Sequence, residues 1–266
     1  MFNITLGQYY PGRSFLHQVD PRTKILATLV YSVFIFLVKE PEGFYLVAGF
    51  ALLAMAASRI PPLTLIRGLR PILIFLVITL AFNAFMTPGE TLWGWGPFRV
   101  TREGLAFGGL MALRLVLLVL VTSLLTLTTT PIALTDGLER LLRPFQRLGL
   151  PAAELALMMT IALRFVPTLF DEAQRILRAQ QARGARLRVR GPLAQMQALL
   201  PILVPLFVAA FRRADELAVA MEARGYRGGR GRTRMRELRY TWRDGVTALA
   251  VAAFAAGVVY LRLLAG

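Results

Sequence analysis

The chain has 266 residues, 56% of them hydrophobic, no cysteine and a formal net charge of +16. Its mean hydropathy of +0.57 is too high for an ordinary soluble domain, and several runs are long enough to cross a bilayer, so its class is an integral membrane protein. Disulfides and thiolate metal sites are excluded; the only lysines are Lys24 and Lys39, and so arginine-rich an excess marks cytoplasmic loops more readily than a nucleic-acid surface.

The first 24 residues are polar and aromatic, broken by Pro11, Gly12 and Pro21. They hold no short apolar core before a small-residue cleavage site, so no signal peptide is expected. Residues 25 to 38 and 44 to 57 are each short for a span, which needs about 20 residues. Together they predict a helical hairpin turning at Pro41, Glu42 and Gly43, with one bent element as the alternative. Arg59, Arg67 and Arg70 bracket Pro61 and Pro62 in a loop from 58 to 70, ahead of a third run from 71 to 86. A loop from 87 to 103 carries Trp93 and Trp95, residue types that favour the headgroup level. The fourth run, roughly 104 to 130, is the clearest span, and a last one is expected at about 246 to 264.

Charge bias orients these elements. The loop at 58 to 70 has three arginines and no acid, whereas the turn at 39 to 43 and the loop at 87 to 103 are balanced or slightly acidic. Positive-inside then places the N-terminus, the 58 to 70 loop and everything from 131 to 241 in the cytoplasm. This last stretch holds 19 arginines against nine acids. Its apolar segments at 151 to 170 and 193 to 211 resemble spans, but crossing would carry Arg175, Arg178, Arg183, Arg186, Arg188 and Arg190 outside. It would also bury Arg164 mid-bilayer, at about 2.5–3.5 kcal/mol on insertion scales. A continuous helix from 151 to 183 would be about 50 Å long, more than a bilayer core is thick. These runs are therefore read as long amphipathic helices on the cytoplasmic face, broken at Gly191-Pro192 and preceded by a shorter helix at 132 to 148.

Each long run closes on the same pattern: Ala182-Arg183-Gly184-Ala185-Arg186 ends the run from 151 to 183, and Ala223-Arg224-Gly225-Tyr226-Arg227 ends that from 192 to 224. An acidic pair stands upstream of each, Asp171-Glu172 and Asp215-Glu216. Glycine just past a helix end and arginine beside it are ordinary C-terminal features. Two copies in one context point further, to a partner with two equivalent sockets.

Other chemistry is sparse. The pattern GxxxxGK[ST] occurs nowhere, so no P-loop binds ATP. With His17 the only histidine, histidine triads and multi-histidine metal sites are out, and His17 is read as an interfacial side chain. The glycine- and arginine-rich stretch at 225 to 234 follows a helix rather than a strand and reads as a basic loop near anionic lipid rather than a phosphate cradle. Arg114, near the middle of the fourth run, is the one ionisable group well inside a span: a transport-path candidate, or a side chain that satisfies carbonyls on a neighbouring helix. Phe165, Leu169 and Ile176 share a helix face, for internal packing or for another membrane subunit.

The chain resembles the transmembrane T component of energy-coupling factor transporters, the EcfT/CbiQ family. The likeness rests on Asp20-Pro21-Arg22-Thr23-Lys24, Thr129-Thr130-Pro131, Leu163-Arg164-Phe165-Val166-Pro167, Ala179-Gln180-Gln181-Ala182-Arg183-Gly184 and Ala220-Met221-Glu222-Ala223-Arg224-Gly225-Tyr226. The last motif and the arginines after it look more like the shared, multi-substrate EcfT type than the cobalt or biotin versions. The resemblance implies a non-catalytic coupling subunit that bridges two ABC-type ATPases and a membrane-embedded, substrate-binding S component, for uptake of a vitamin or metal ion. It further implies that Ala182, Arg183, Gly184, Ala223, Arg224 and Gly225 dock on the ATPases, with neither cofactor nor nucleic acid as partner. The expected fold is an all-α integral membrane protein of the bacterial or archaeal cell membrane, with about five transmembrane helices plus long amphipathic cytoplasmic coupling helices. Its regions would be 1–130 (about four spans), 131–241 (coupling helices) and 242–266 (a last span). A secondary transporter is the first alternative, though no coupling carboxylate lies within the spans, Glu90 and Glu103 being in a loop. The second is a basic membrane protein that binds nucleic acid or anionic lipid.

Overall fold

A computed structural model describes residues 9–38, 40–95, 98–148, 151–185, 191–226, 228 and 240–265. The described residues form nine α-helices, three short 3-10 stretches and one two-stranded hairpin. Among the described residues, five helical segments are long and apolar enough to cross a membrane: Pro62–Met86, Arg102–Thr128, Ala152–Ala182, Leu193–Ala223 and Trp242–Leu264. The protein is an all-α membrane protein. By contacts the chain divides into two compact units, 1–138 with 236–266, and 139–235.

In the first unit, α1 (Pro21–Leu37) begins four residues ahead of its apolar run. Asp20 is the N-cap, its carboxylate accepting from the Arg22 N–H at 2.9 Å, and Pro21 occupies the first helical position, where a missing N–H costs nothing. The α2 helix (Pro41–Ser58) starts on Pro41, so Pro41, Glu42 and Gly43 form its first turn rather than the connection. Proline at N1 and a glutamate near the positive end of the dipole both favour that start. Tyr31 Oη donates to the Val47 carbonyl at 3.3 Å, and its ring stacks on Phe50, which closes the hairpin.

The expected loop at 58 to 70 shrinks to residues 59–61. Pro62 opens α3 (Pro62–Leu69), and a 3-10 stretch at Arg70–Ile72 joins it to α4 (Leu73–Met86). Pro71 causes that change of helix type, since it removes a donor from the α ladder. The segment after α4 is likewise no plain loop. Its strands β1 (Thr91–Trp95) and β2 (Phe98–Thr101) pair antiparallel, Thr91 opposite Thr101 and Trp95 opposite Phe98. The placement expected for the Trp93 and Trp95 side chains lies outside the described residues.

Thr101 caps α5 (Arg102–Thr128), accepting from the Gly104 N–H at 3.1 Å. Helices α4 and α5 approach closely at Gly104 and Gly108: a Cβ at Gly104 would lie 2.5 Å from the Asn83 carbonyl oxygen, and one at Gly108 3.3 Å from that of Leu80. This is the small-xxx-small spacing that lets membrane helices touch backbone to backbone. After α5 come α6 (Pro131–Leu142) and a 3-10 stretch at Arg143–Leu148.

The apolar core joins Tyr31 and Ile35 of α1, Phe44 and Val47 of α2, Leu117 and Val121 of α5, and Phe254 and Val258 of α9 (Trp242–Ala265). Two buried polar ties fix the end of the bundle where α1 starts. Lys24 Nζ donates to the Thr128 carbonyl and to Thr129 Oγ1, both at 3.1 Å. The Asp244 carboxylate accepts from the Asp20 N–H and the Thr241 N–H, each at 2.6 Å. Such charge-assisted bonds satisfy helix ends that would otherwise be buried with free donors and acceptors.

Candidate functional site

The second unit is built on two long helices, α7 (Ala152–Ala182) and α8 (Pro192–Ala223). Their limits fall within one residue of the runs read from the sequence. Each passes through proline, Pro167 in α7 and Pro201 and Pro205 in α8, and α8 starts on Pro192 after Gly191, whose φ is +103°.

Both helices end alike. In α7, Arg183 (φ −82°, ψ 5°) is the C-cap, and Gly184 takes the left-handed conformation at φ +85°. The Gly184 N–H donates to Gln181 O at 3.0 Å, and the Ala185 N–H reaches back to Gln180 O at 2.9 Å. In α8, Arg224 (φ −86°, ψ 5°) is the C-cap and Gly225 has φ +74°. Its N–H donates to Glu222 O at 2.8 Å, and that of Tyr226 to Met221 O at 3.0 Å. The paired bonds at these offsets form a Schellman motif, which spends a glycine on the left-handed position to satisfy the last carbonyls. The helix-end reading of the pattern is therefore correct for both copies.

The same cap has a consequence for the arginines. With the chain turning away at the glycine, Ala182, Arg183, Gly184, Ala223, Arg224 and Gly225 are all exposed. A Cβ at either glycine would meet nothing, so its requirement is backbone conformation and not space. Each arginine is thus displayed at the tip of a helix of 31 or 32 residues, its planar fork free for a carboxylate or a set of carbonyls. Helices α7 and α8 pack on each other, and Gln180 Nε2 donates to the Pro201 carbonyl at 3.3 Å. On α7, Phe165, Leu169 and Ile176 are half-buried and Arg164 is exposed. Arg186, Arg188, Arg190 and Arg227, like most of the basic stretch at 225 to 234, lie outside the described residues.

Two other sequence candidates have structural partners. Arg114 Nη2 donates to the Val38 carbonyl at 2.5 Å, and its guanidinium stands over the rings of Phe36 and Phe44. It satisfies the carbonyl at the C-terminal end of α1, where a cation also complements the helix dipole. His17 bonds through Nδ1 to Ser14 Oγ at 2.6 Å and through Nε2 to the Tyr10 carbonyl at 2.9 Å, which pins the segment before α1. Sequence reasoning overlooked Asp244, two residues ahead of the span expected at about 246 to 264, and the link from Gln180 to Pro201. The i, i+4 spacing of Pro201 and Pro205 was the available signal for the latter.

A family model described as "Cobalt transport protein", CbiQ, matches residues 12–235. The chain is 52% identical over 260 residues to the energy-coupling factor transporter transmembrane protein EcfT of Acidaminococcus fermentans, covering 98% of this chain and 97% of that one. It is 49% identical over 264 residues to the EcfT of Thermosediminibacter oceani, with 99% and 100% coverage. Against the EcfT of Clostridium kluyveri the identity is 52% over 249 residues, with 93% and 92% coverage.

Proposed function

The chain belongs to the EcfT/CbiQ family of energy-coupling factor transporter membrane components, and on that premise we propose that it couples two ABC-type ATPase subunits to a substrate-binding S component in the same membrane. The observation that carries this reading is the duplicated helix end: two long helices with the same cap, each displaying one exposed arginine. Two equal ATPase subunits would offer two equal sockets. Arg183 docks in one and Arg224 in the other, with Ala182, Gly184, Ala223 and Gly225 allowing close approach. When ATP draws the ATPases together, the two helix ends follow, and α7 and α8 pass the movement to the S component, which delivers a vitamin or metal ion to the cytoplasm.

In this reading α7 and α8 lie along the cytoplasmic face, although both are apolar enough to span. The arginine surplus from 131 to 241 and the intramembrane cost of Arg164 favour that placement. ATP hydrolysis belongs to the partners, since this chain has no P-loop.

The test is capture of the ATPases by the tagged chain, with uptake measured alongside. Truncating a charged group that is desolvated at an interface costs about 2–5 kcal/mol. Arg183→Ala or Arg224→Ala alone is expected to weaken transport, and the pair to abolish ATPase binding or its coupling to uptake. Lysine is expected to substitute poorly at either position, because it keeps the charge and loses the fork. Normal assembly and uptake in the double variant would rule the docking role out.

A further inference from the structure

An α-helical carbonyl accepts from the N–H four residues later. Pro205 has no N–H to give, so the Pro201 carbonyl loses its partner within α8, and Pro201 does the same to Gln197. Two openings in the ladder, one turn apart, make this part of α8 a place where the helix can bend. The amide of Gln180 fills one of them, donating to the Pro201 carbonyl at 3.3 Å. Gln180 belongs to the last turn of α7, three residues ahead of Arg183.

The lever arms are unequal. At 1.5 Å per residue, Arg183 is about 5 Å along α7 from this link, whereas Arg224 is roughly 35 Å along α8. A 10° bend at the prolines would displace the Arg224 end by roughly 6 Å, twice the length of the hydrogen bonds the arginine would make. We propose that Gln180 is a positioning residue for the arginine pair: it ties the proline hinge of α8 to the end of α7, so that Arg183 and Arg224 keep one spacing and move together. The functional half of this proposal rests on the coupling role proposed above; the mechanical half does not.

The mechanical half is tested on the full chain in detergent. The protein has no cysteine, so spin labels at Met159→Cys on α7 and Val219→Cys on α8, both exposed, report the distance between the helices by pulsed electron resonance. Gln180→Leu is expected to broaden that distance distribution. Adding Pro205→Ala restores an N–H to the Pro201 carbonyl, and is expected to narrow it again. Gln180→Glu, an acceptor only when ionised, should behave as Gln180→Leu and serves if that variant does not accumulate. Unchanged width with Gln180→Leu and Gln180→Glu, or a broadening that Pro205→Ala leaves in place, would overturn the proposal. In the reconstituted transporter, Gln180→Leu should retain the ATPases while uptake per ATP hydrolysed falls about threefold to tenfold, the range one net hydrogen bond governs. Broadened distances with undiminished uptake per ATP would overturn the functional half alone. Capture of the ATPases by the Arg183 and Arg224 variants tests the docking role separately.

Discussion

Charged residues in this chain have two kinds of assignment, and burial separates them. Lys24 and Asp244 are 6% and 4% exposed, and both are spent on backbone or hydroxyl partners at the ends of helices. Arg183 and Arg224 are exposed, and the caps hold their backbones without using their side chains. The two kinds should fail differently. Asp244→Ala leaves the buried N–H of Asp20 without an acceptor and removes the partner of the Thr241 N–H, and is expected to lower stability by about 1.5–3 kcal/mol. Thermal unfolding in detergent measures this, and a melting curve equal to that of the parent chain would contradict it. Replacing Arg183 or Arg224 should cost at most the dipole contact of about 0.3–1 kcal/mol, so any transport defect there is not a folding defect. Arg114 falls with the first kind, because its partner is the carbonyl of Val38. Its position in a span was legible in the sequence, but the end of α1 that it reaches was not.

At the scale of elements, apolar runs located the helices and proline shifted their edges. The runs ending at 183 and 224 matched α7 and α8 because glycine punctuates both ends. Helices α1 and α2 begin earlier than their greasy segments, since Asp20, Pro21 and Pro41 supply start signals that hydropathy ignores. The hairpin at Thr91–Thr101 was missed for a similar reason: five- and four-residue strands in a connection make little periodic signal. Helices α4 and α5 approach most closely to backbone contact at Gly104 and Gly108. Gly104→Leu would drive its Cβ to within 2.5 Å of the Asn83 carbonyl oxygen. It is expected to cost about 1–3 kcal/mol through forced separation of the helices, read as loss of folded protein on size exclusion and a lower melting temperature. Folding equal to that of the parent would show that the two helices have room to part.

For the whole molecule, the sequence conveyed the class, the charge asymmetry and the duplicated motif, each of which needs only the order of residues. On which apolar helices cross, its two signals disagree. Hydropathy admits α7 and α8 as spans and leaves α1 and α2 short, whereas arginine bias assigns them the other way round. Labelling decides between these criteria. A single Arg188→Cys in a chain without native thiols should resist an impermeant reagent added outside intact cells and react in inverted vesicles; labelling from outside would place α7 across the membrane. Docking itself is tested most directly beside the arginines, at the exposed small residues Ala182 and Ala223. With a photoreactive amino acid in place of either one, irradiation of cells that express the complete transporter should join this chain to an ATPase subunit at both positions, and the yield should collapse when Arg183 and Arg224 are both alanine. Adducts with lipid or with the S component alone, at either position, would contradict the account.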